Sequence, residues 1–475
     1  MRAQSACGDR PGAPGPLTHD RLRAKPERQR ILIPQKRAIV FPSSFQGELR
    51  GMRNERDGRL LMALCAAAMA LGWGLRGFIG GGPLGAMIPG AMIGLVLAAL
   101  LKQGRHAAWL AACGAVGFGL GGQETYGQTV GLSLKPETYW WAVLGFALKG
   151  GAWGLAGGGL IGAGLLRRQA GWSARRFLWG LAAMLSATWA GWRFVNLPRL
   201  VYFSDPLNKP REEVWAGLLA GALAFLAVAA HGPLRRMAWR FALWTGAGGA
   251  LGFPLGAALQ AWGRGLDALR WFDWWKGMEF TLGALLGLGI GAAAWISRRE
   301  LAASAEDAEE APAALSASLL LAAAAAVVVI GIEYRVALRF NYSIGGALAL
   351  AAALRSSLIA RHVAVTATVA AFLMDFAENT PDLAGVAGWL VVVFGAALAA
   401  AWVTKEQNPR VLFLGLMWSA VAVSLVKTFV PPLLVSAGHL VTEGLFVLMA
   451  LASALWLRRA CTAADEAPAA AAMSS

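Results

Sequence analysis

The feature that most limits what this chain can become is the spacing of its apolar runs. From about Leu60 to Leu457 long, nearly uncharged stretches follow one another with short loops between them, and roughly 20 apolar helical residues cross the hydrocarbon of a bilayer. In lipid every backbone N–H and C=O must be satisfied within the segment, so such runs fold as helices. The first lies near 60–76, the tenth and eleventh near 342–360 and 362–378, and the last near 433–457. The fold class expected is all-α: a polytopic transmembrane helix bundle of about 14 spans, the short tenth and eleventh being candidates for one re-entrant pair.

Composition enters where it decides between classes. With 57% hydrophobic and 15% charged residues and a mean hydropathy of +0.53, the chain is too apolar for a soluble domain of its length. The net charge of +16 raises the question of nucleic acid. The basic residues, however, fall in short clusters between apolar runs, and that distribution orients membrane helices. Nucleic acid is therefore excluded as a partner, and the lipid bilayer is the expected one.

Placing the N-terminus in the cytoplasm puts Arg53/Arg56/Arg59, Lys102/Arg105, Arg167/Arg168/Arg175/Arg176, Arg235/Arg236/Arg240, Arg298/Arg299, Arg361, Lys405/Arg410 and Arg458/Arg459 on one side. Every loop on that side then carries positive charge, as the positive-inside rule requires. Both termini are expected in the cytoplasm. An excess of Arg over Lys and abundant Ala suit a GC-rich genome, and the expected location is a bacterial plasma membrane.

Residues 1–51 lack the 7–15-residue apolar core of a secretory signal. They read as a disordered basic tail, or as sequence upstream of a start at Met52. Residues 52–299 form a Gly/Trp-rich eight-span bundle, 300–313 an acidic cytoplasmic linker, 314–459 a six-span bundle and 460–475 a second disordered tail. Four scattered cysteines, Cys7, Cys65, Cys113 and Cys461, have neither disulfide nor zinc spacing. No metal and no cofactor are expected.

The eight-span half shows a tandem pattern. Gly72-Trp73 with Arg76 answers Gly191-Trp192-Arg193, Gly117-Phe118-Gly119 answers Gly252-Phe253-Pro254, and Trp140-Trp141 answers Trp274-Trp275. Four spans return the chain to the same side, so 52–170 and 171–299 would be parallel repeats about an axis along the membrane normal. Chance matching in a Gly/Trp-rich chain is the alternative. Glycines four apart, as in Gly154/Gly158/Gly162, Gly248/Gly252/Gly256 and Gly283/Gly287/Gly291, give smooth strips for close helix packing. Gly72-x-Gly74-x-x-Gly77 matches a dinucleotide fingerprint in letters only, because no strand precedes it. Gly77–Gly90 reads as a short hairpin turn, with a broken helix as the other option.

Ionisable residues within apolar runs mark sites by their cost. Arg76, Arg193, Lys149 and Glu279 are expected to line one outward-opening polar cavity that binds a small anionic solute. His439 and Glu443, four apart on the last span and so on one face, are the candidate proton-coupling pair. Glu124, Glu333 and Lys427 read as residues that snorkel to the interface, and Asp375, Glu378 and Asp382 as an acidic helix end. The function expected is a secondary transporter, with no enzymatic activity. The competing readings are a membrane enzyme acting on a lipid-linked substrate through Glu124, Asp205 or Glu279, and a non-catalytic assembly component.

Overall fold

The computed structural model describes residues 43–169, 171–207, 210–232, 235–302, 315–333, 340–380, 385–429 and 435–472. The chain divides into Met1–Gly51 and Met52–Ser475. Of the first unit only the last residues are described, and they are helical. The rest of the predicted tail, the linker 303–314 and Asp382 lie outside the described residues.

All regular structure among the described residues is helical. The helices are α1 (Ser43–Ile79), α2 (Gly82–Leu100), α3 (Ala107–Gly121), the short α4 (Gly127–Ser133), α5 (Tyr139–Leu165), α6 (Ala174–Gly191), α7 (Trp215–Ala229), α8 (Arg235–Arg264), α9 (Trp274–Ala302), α10 (Leu315–Glu333) and α11 (Asn341–Ala353). They are followed by α12 (Ser357–Glu378), α13 (Val386–Lys405), α14 (Pro409–Phe429) and α15 (Ala437–Ala472). Each predicted apolar segment holds a helix, and among the described residues eight are long and apolar enough to cross a membrane.

The boundary between the tenth and eleventh segments is corrected. α11 stops at Ala353, and Ser356 opens α12 by accepting hydrogen bonds from Leu358 N and Ile359 N. Serine at a helix start outweighs the apolar pattern there. α12 is thus long enough to span, α11 is not, and Arg361 sits within α12, buried, with Nε donating to Val403 O at 2.8 Å.

The molecule is apolar on its outside as well as within. α13 buries only Gly388, Ala399 and Val403 among its side chains, and Leu398 is 72% exposed. A helix this apolar with so little partner surface needs lipid around it. Inside, small residues bring the backbones together. A Cβ on Gly283, Gly287 or Gly291 would collide with α1 near Met69, Cys65 and Met62; one on Gly154, Gly158 or Gly162 with α8; one on Gly248, Gly252 or Gly256 with α9. All three glycine strips are packing surfaces.

The Gly77–Gly90 segment is a tight turn between two helices. Gly81 and Gly82 have φ of 76° and 51°, a left-handed geometry that glycine adopts without a Cβ penalty, and Pro83 lies in the first turn of α2. Pro89 inside α2 faces Gly72, where a side chain would overlap it. The dinucleotide-like glycines of α1 therefore have structural neighbours: Gly72 faces Pro89 and Gly77 faces the Glu279 carboxylate.

Gly117 on α3 meets α5, and Gly252 on α8 meets α9. α2 lies along α3, whereas α7 lies along α6 and barely touches α8.

Candidate functional site

The ends of α1, α3 and α6 and the starts of α2, α5, α7 and α9 gather at one end of the bundle, because successive helices alternate in direction. The polar turn Gln123-Glu124-Thr125-Tyr126, between α3 and α4, lies among them. It lines a cavity of about 580 Å³ together with Arg76, Gly82, Pro83, Gly122, Gly127, Glu212, Val214, Phe340 and Asn341.

Two buried charge clusters flank this turn. In the first, Lys149, 1% exposed, projects from α5. Its Nζ donates to Thr125 O at 2.7 Å, Thr129 Oγ1 at 2.9 Å and Glu213 Oε1 at 2.9 Å, and stands 3.0 Å from Glu124 Oε1. Glu213 also accepts from Phe203 N and Ser204 Oγ. Glu124 Oε2 accepts from Val214 N at 2.6 Å, at the threshold of α7, where free backbone N–H groups favour negative charge. Asn196 Oδ1 accepts from two N–H groups of the first turn, those of Ala216 and Gly217. Burial pushes the Glu124 carboxyl above its ordinary range; Lys149 opposes the shift and Glu213 adds to it.

In the second cluster Glu279, also 1% exposed, accepts from Lys276 Nζ at 2.6 Å, Trp275 Nε1 at 3.0 Å and Tyr126 Oη at 3.2 Å. Tyr126 in turn receives a 2.6 Å hydrogen bond from Arg76 Nη1. Burial raises the Tyr126 phenol, which keeps it a donor. Arg76 is 4% exposed, and its guanidinium carbon lies 5.4 Å from the ring centres of Tyr126 and Trp153 and 6.0 Å from that of Trp73. Among the described residues no carboxylate lies within ion-pair distance of Arg76, and its buried Nε has no hydrogen-bond partner.

Arg76 thus lines the cavity, while Lys149 and Glu279 stand one residue behind it, each holding a member of the Glu124–Tyr126 turn. Arg193 is placed elsewhere: it lies in the π-turn Trp192–Asn196 that extends α6, and its side chain is exposed. Trp192 beside it is buried, edge-on to Phe340 and bonded to Glu212, whereas Trp73 packs edge-on to Trp153. Trp275 stacks on Tyr126, but Trp140 and Trp141 are exposed. The structure does not bring the two arginines to equivalent surroundings.

The His439/Glu443 face is not a bonded pair. His439 is exposed and interacts with Ser436; Glu443 turns inward and accepts from Ser424 Oγ and Thr428 Oγ1 on α14. Glu124 does not snorkel but is buried on Lys149. Lys427 is half-buried, donating to Phe78 O at the end of α1 and lying 3.7 Å from Asp375. Asp205 caps its own turn through Leu207 N. The side chain of Glu333 lies outside the described residues.

Sequence reasoning missed Glu213, Tyr126 and Lys276. Tyr126 sits in a loop beside the candidate Glu124, and the phrase Gln123-Glu124-Thr125-Tyr126, four polar residues between Gly121-Gly122 and Gly127 at the end of an apolar run, was its available signal.

No family model, curated protein or solved structure matches the chain. Its own features define the class: a helical protein with membrane-spanning helices and an open cavity at one end of the bundle, lined by Arg76, Glu124 and Glu212.

Proposed function

We propose that the protein is a secondary transporter that binds a small anionic solute at Arg76. The carrying observation is a buried guanidinium in a cavity wall with no carboxylate partner among the described residues. A buried cation is costly unless paired or wetted, and a guanidinium matches carboxylate and phosphate oxygens two at a time. Aromatic faces on Trp73, Tyr126 and Trp153 steady the cation without neutralising it. The distribution of basic loops turns this cavity to the exterior of a bacterial plasma membrane, across about fourteen helical passes. On this reading the tandem pattern of the first eight long helices belongs to the scaffold and ends at the site, since only one half carries a buried arginine.

An enzyme acting on a lipid-linked substrate is less well supported. The cavity lining offers the carboxylates Glu124 and Glu212 but, among the described residues, no Ser, Cys or His, so no Ser–His or Cys–His pair faces a substrate there. The test is uptake into proteoliposomes of a panel of small carboxylates, phosphate and sulfate. The expected result is uptake of one class by the unaltered protein and loss in Arg76→Gln; equal uptake by both proteins refutes the reading.

A further inference from the structure

The charges around the cavity are unevenly divided. Beside Glu124 stand one cation and two carboxylates, Lys149, Glu124 and Glu213. Beside Tyr126 stand two cations and one carboxylate, Arg76, Lys276 and Glu279. All six are at least nine-tenths buried, and the formal charges of the whole set cancel. A monoanion seated on Arg76 makes the set negative by one in surroundings that tolerate net charge poorly.

Of the three carboxylates, Glu124 is the one with room for a compensating proton. Glu213 is saturated by Lys149, Phe203 N and Ser204, and Glu279 by Lys276, Trp275 and Tyr126. Neither reaches the cavity. Glu124 does, and its Oε1 stands 3.0 Å from a Lys149 Nζ whose three hydrogens are already shared among Thr125 O, Thr129 Oγ1 and Glu213 Oε1. The other carboxylate in the wall among the described residues, Glu212, is exposed and occupied by Trp192.

We propose that each negative charge bound at Arg76 is accompanied by one proton taken up on Glu124 Oε1, so that solute and proton enter the site together. The inference rests on the anion-binding reading above. The step is a proton transfer from the acid form of the buffer in the aqueous phase to the carboxylate, giving a neutral carboxylic acid and the buffer's conjugate base, with no change of oxidation state. The groups facing Glu124 are Lys149 from α5, Glu213 and Glu212 from the loop before α7, and, around the cavity, Arg76 from α1 and Tyr126. The burial that raises the Glu124 carboxyl acts in the same sense, since a group already disposed to hold a proton needs little further push.

The experiment is titration calorimetry of the full chain in detergent with potassium thiocyanate, a weakly hydrated monoanion that pairs with guanidinium. Ionic strength is held with gluconate, and proton uptake is obtained by comparing imidazole with Bis-Tris buffer. The expected result is uptake of a fraction of a proton per thiocyanate near neutral pH, where part of Glu124 already holds its proton, rising toward one at about pH 8. Binding should be tighter by about tenfold or more at about pH 5.5 than at about pH 8.5. Glu124→Gln should bind with no proton uptake and little pH dependence. Binding that depends on Arg76 but takes up no proton overturns the coupling and leaves anion binding intact. Proton uptake that persists in Glu124→Gln overturns the assignment to Glu124. Absence of thiocyanate binding, or equal binding by Arg76→Gln, overturns both readings. Should Glu124→Gln fail to fold, the proton count of the unaltered protein still decides the coupling.

Discussion

Replacing Lys149 by methionine keeps the apolar stem of the side chain and removes its charged end, and four oxygens lie within 3.0 Å of the Nζ that is lost. At 2.9 Å and an effective dielectric constant of about 20, each carboxylate contact is worth about 6 kcal/mol of gross attraction. Most of that offsets the cost of taking the charges out of water. What remains after the substitution is the penalty for two buried carboxylates without a counter-ion, about 3–5 kcal/mol. At roughly 2 °C per kcal/mol for a large chain, the apparent unfolding temperature in detergent should fall by roughly 6–10 °C at alkaline pH. Two further results follow if the cause is charge. The deficit should shrink as pH falls, because burial already raises the Glu124 carboxyl and a protonated carboxyl needs no ammonium. Adding Glu213→Gln to Lys149→Met should recover part of the loss, with a coupling of about 1–3 kcal/mol between the positions. Thermal unfolding of the three variants followed by light scattering checks all of this. A Lys149→Met protein that melts with the unaltered one at both ends of the pH range would refute the argument.

Gly77→Ala places a methyl group against the Glu279 carboxylate and should cost about 1–3 kcal/mol by overpacking while weakening thiocyanate binding; Gly131→Ala, with open space at its Cβ position, should be nearly neutral in the same assays. Arg193→Ala should leave stability and anion binding unchanged, since the side chain is exposed; loss of binding would return Arg193 to the site. Glu443→Gln should cost about 1–2 kcal/mol through its bonds to Ser424 and Thr428, and His439→Ala should cost nothing measurable, an order that a functional His439/Glu443 pair would reverse. Reporter fusions after Arg105, Arg176, Arg240 and Arg299 should read as cytoplasmic and those after Lys135 and Arg264 as exterior, and one exchanged pair would overturn the topology.

The sequence carries the helices because apolar length and four-residue glycine spacing are local properties. Gly283, Gly287 and Gly291 announce a close approach whichever helix arrives, and α1 is that helix. It carries Arg76, Lys149 and Glu279 for a related reason: a charge inside an apolar run must be answered by something. What answers it is not local. Glu213 stands 64 residues from Lys149, and the hairpin between α6 and α7 that delivers it has no apolar period to read. Arg193 shows the converse error. Its Gly191-Trp192-Arg193 only partly repeats Gly72-Trp73-Gly74-Leu75-Arg76, since the arginine follows the tryptophan by one residue instead of three, and in the π-turn that begins at Trp192 its side chain is exposed. His439 and Glu443 share a helix face by spacing, yet Ser424 and Thr428 on α14 offer Glu443 better partners. Short-range geometry sets which residues can meet, and the neighbouring helix selects among them.

The aromatic wall around Arg76 is also an optical device. The indoles of Trp73 and Trp153 stand 4.9 Å apart at 78° to each other, and Trp275 lies stacked on Tyr126 at 5.6 Å. Two like chromophores at such a distance share their excitation, and a fixed, skewed pair splits its absorption into circularly polarised bands of opposite sign. On the proposed anion-binding reading, a solute arriving at the guanidinium beside them should change that skew and so register in the near-ultraviolet dichroism of the unlabelled protein. Phenylalanine at position 153 should erase the couplet and leave the helical signal of the bundle untouched.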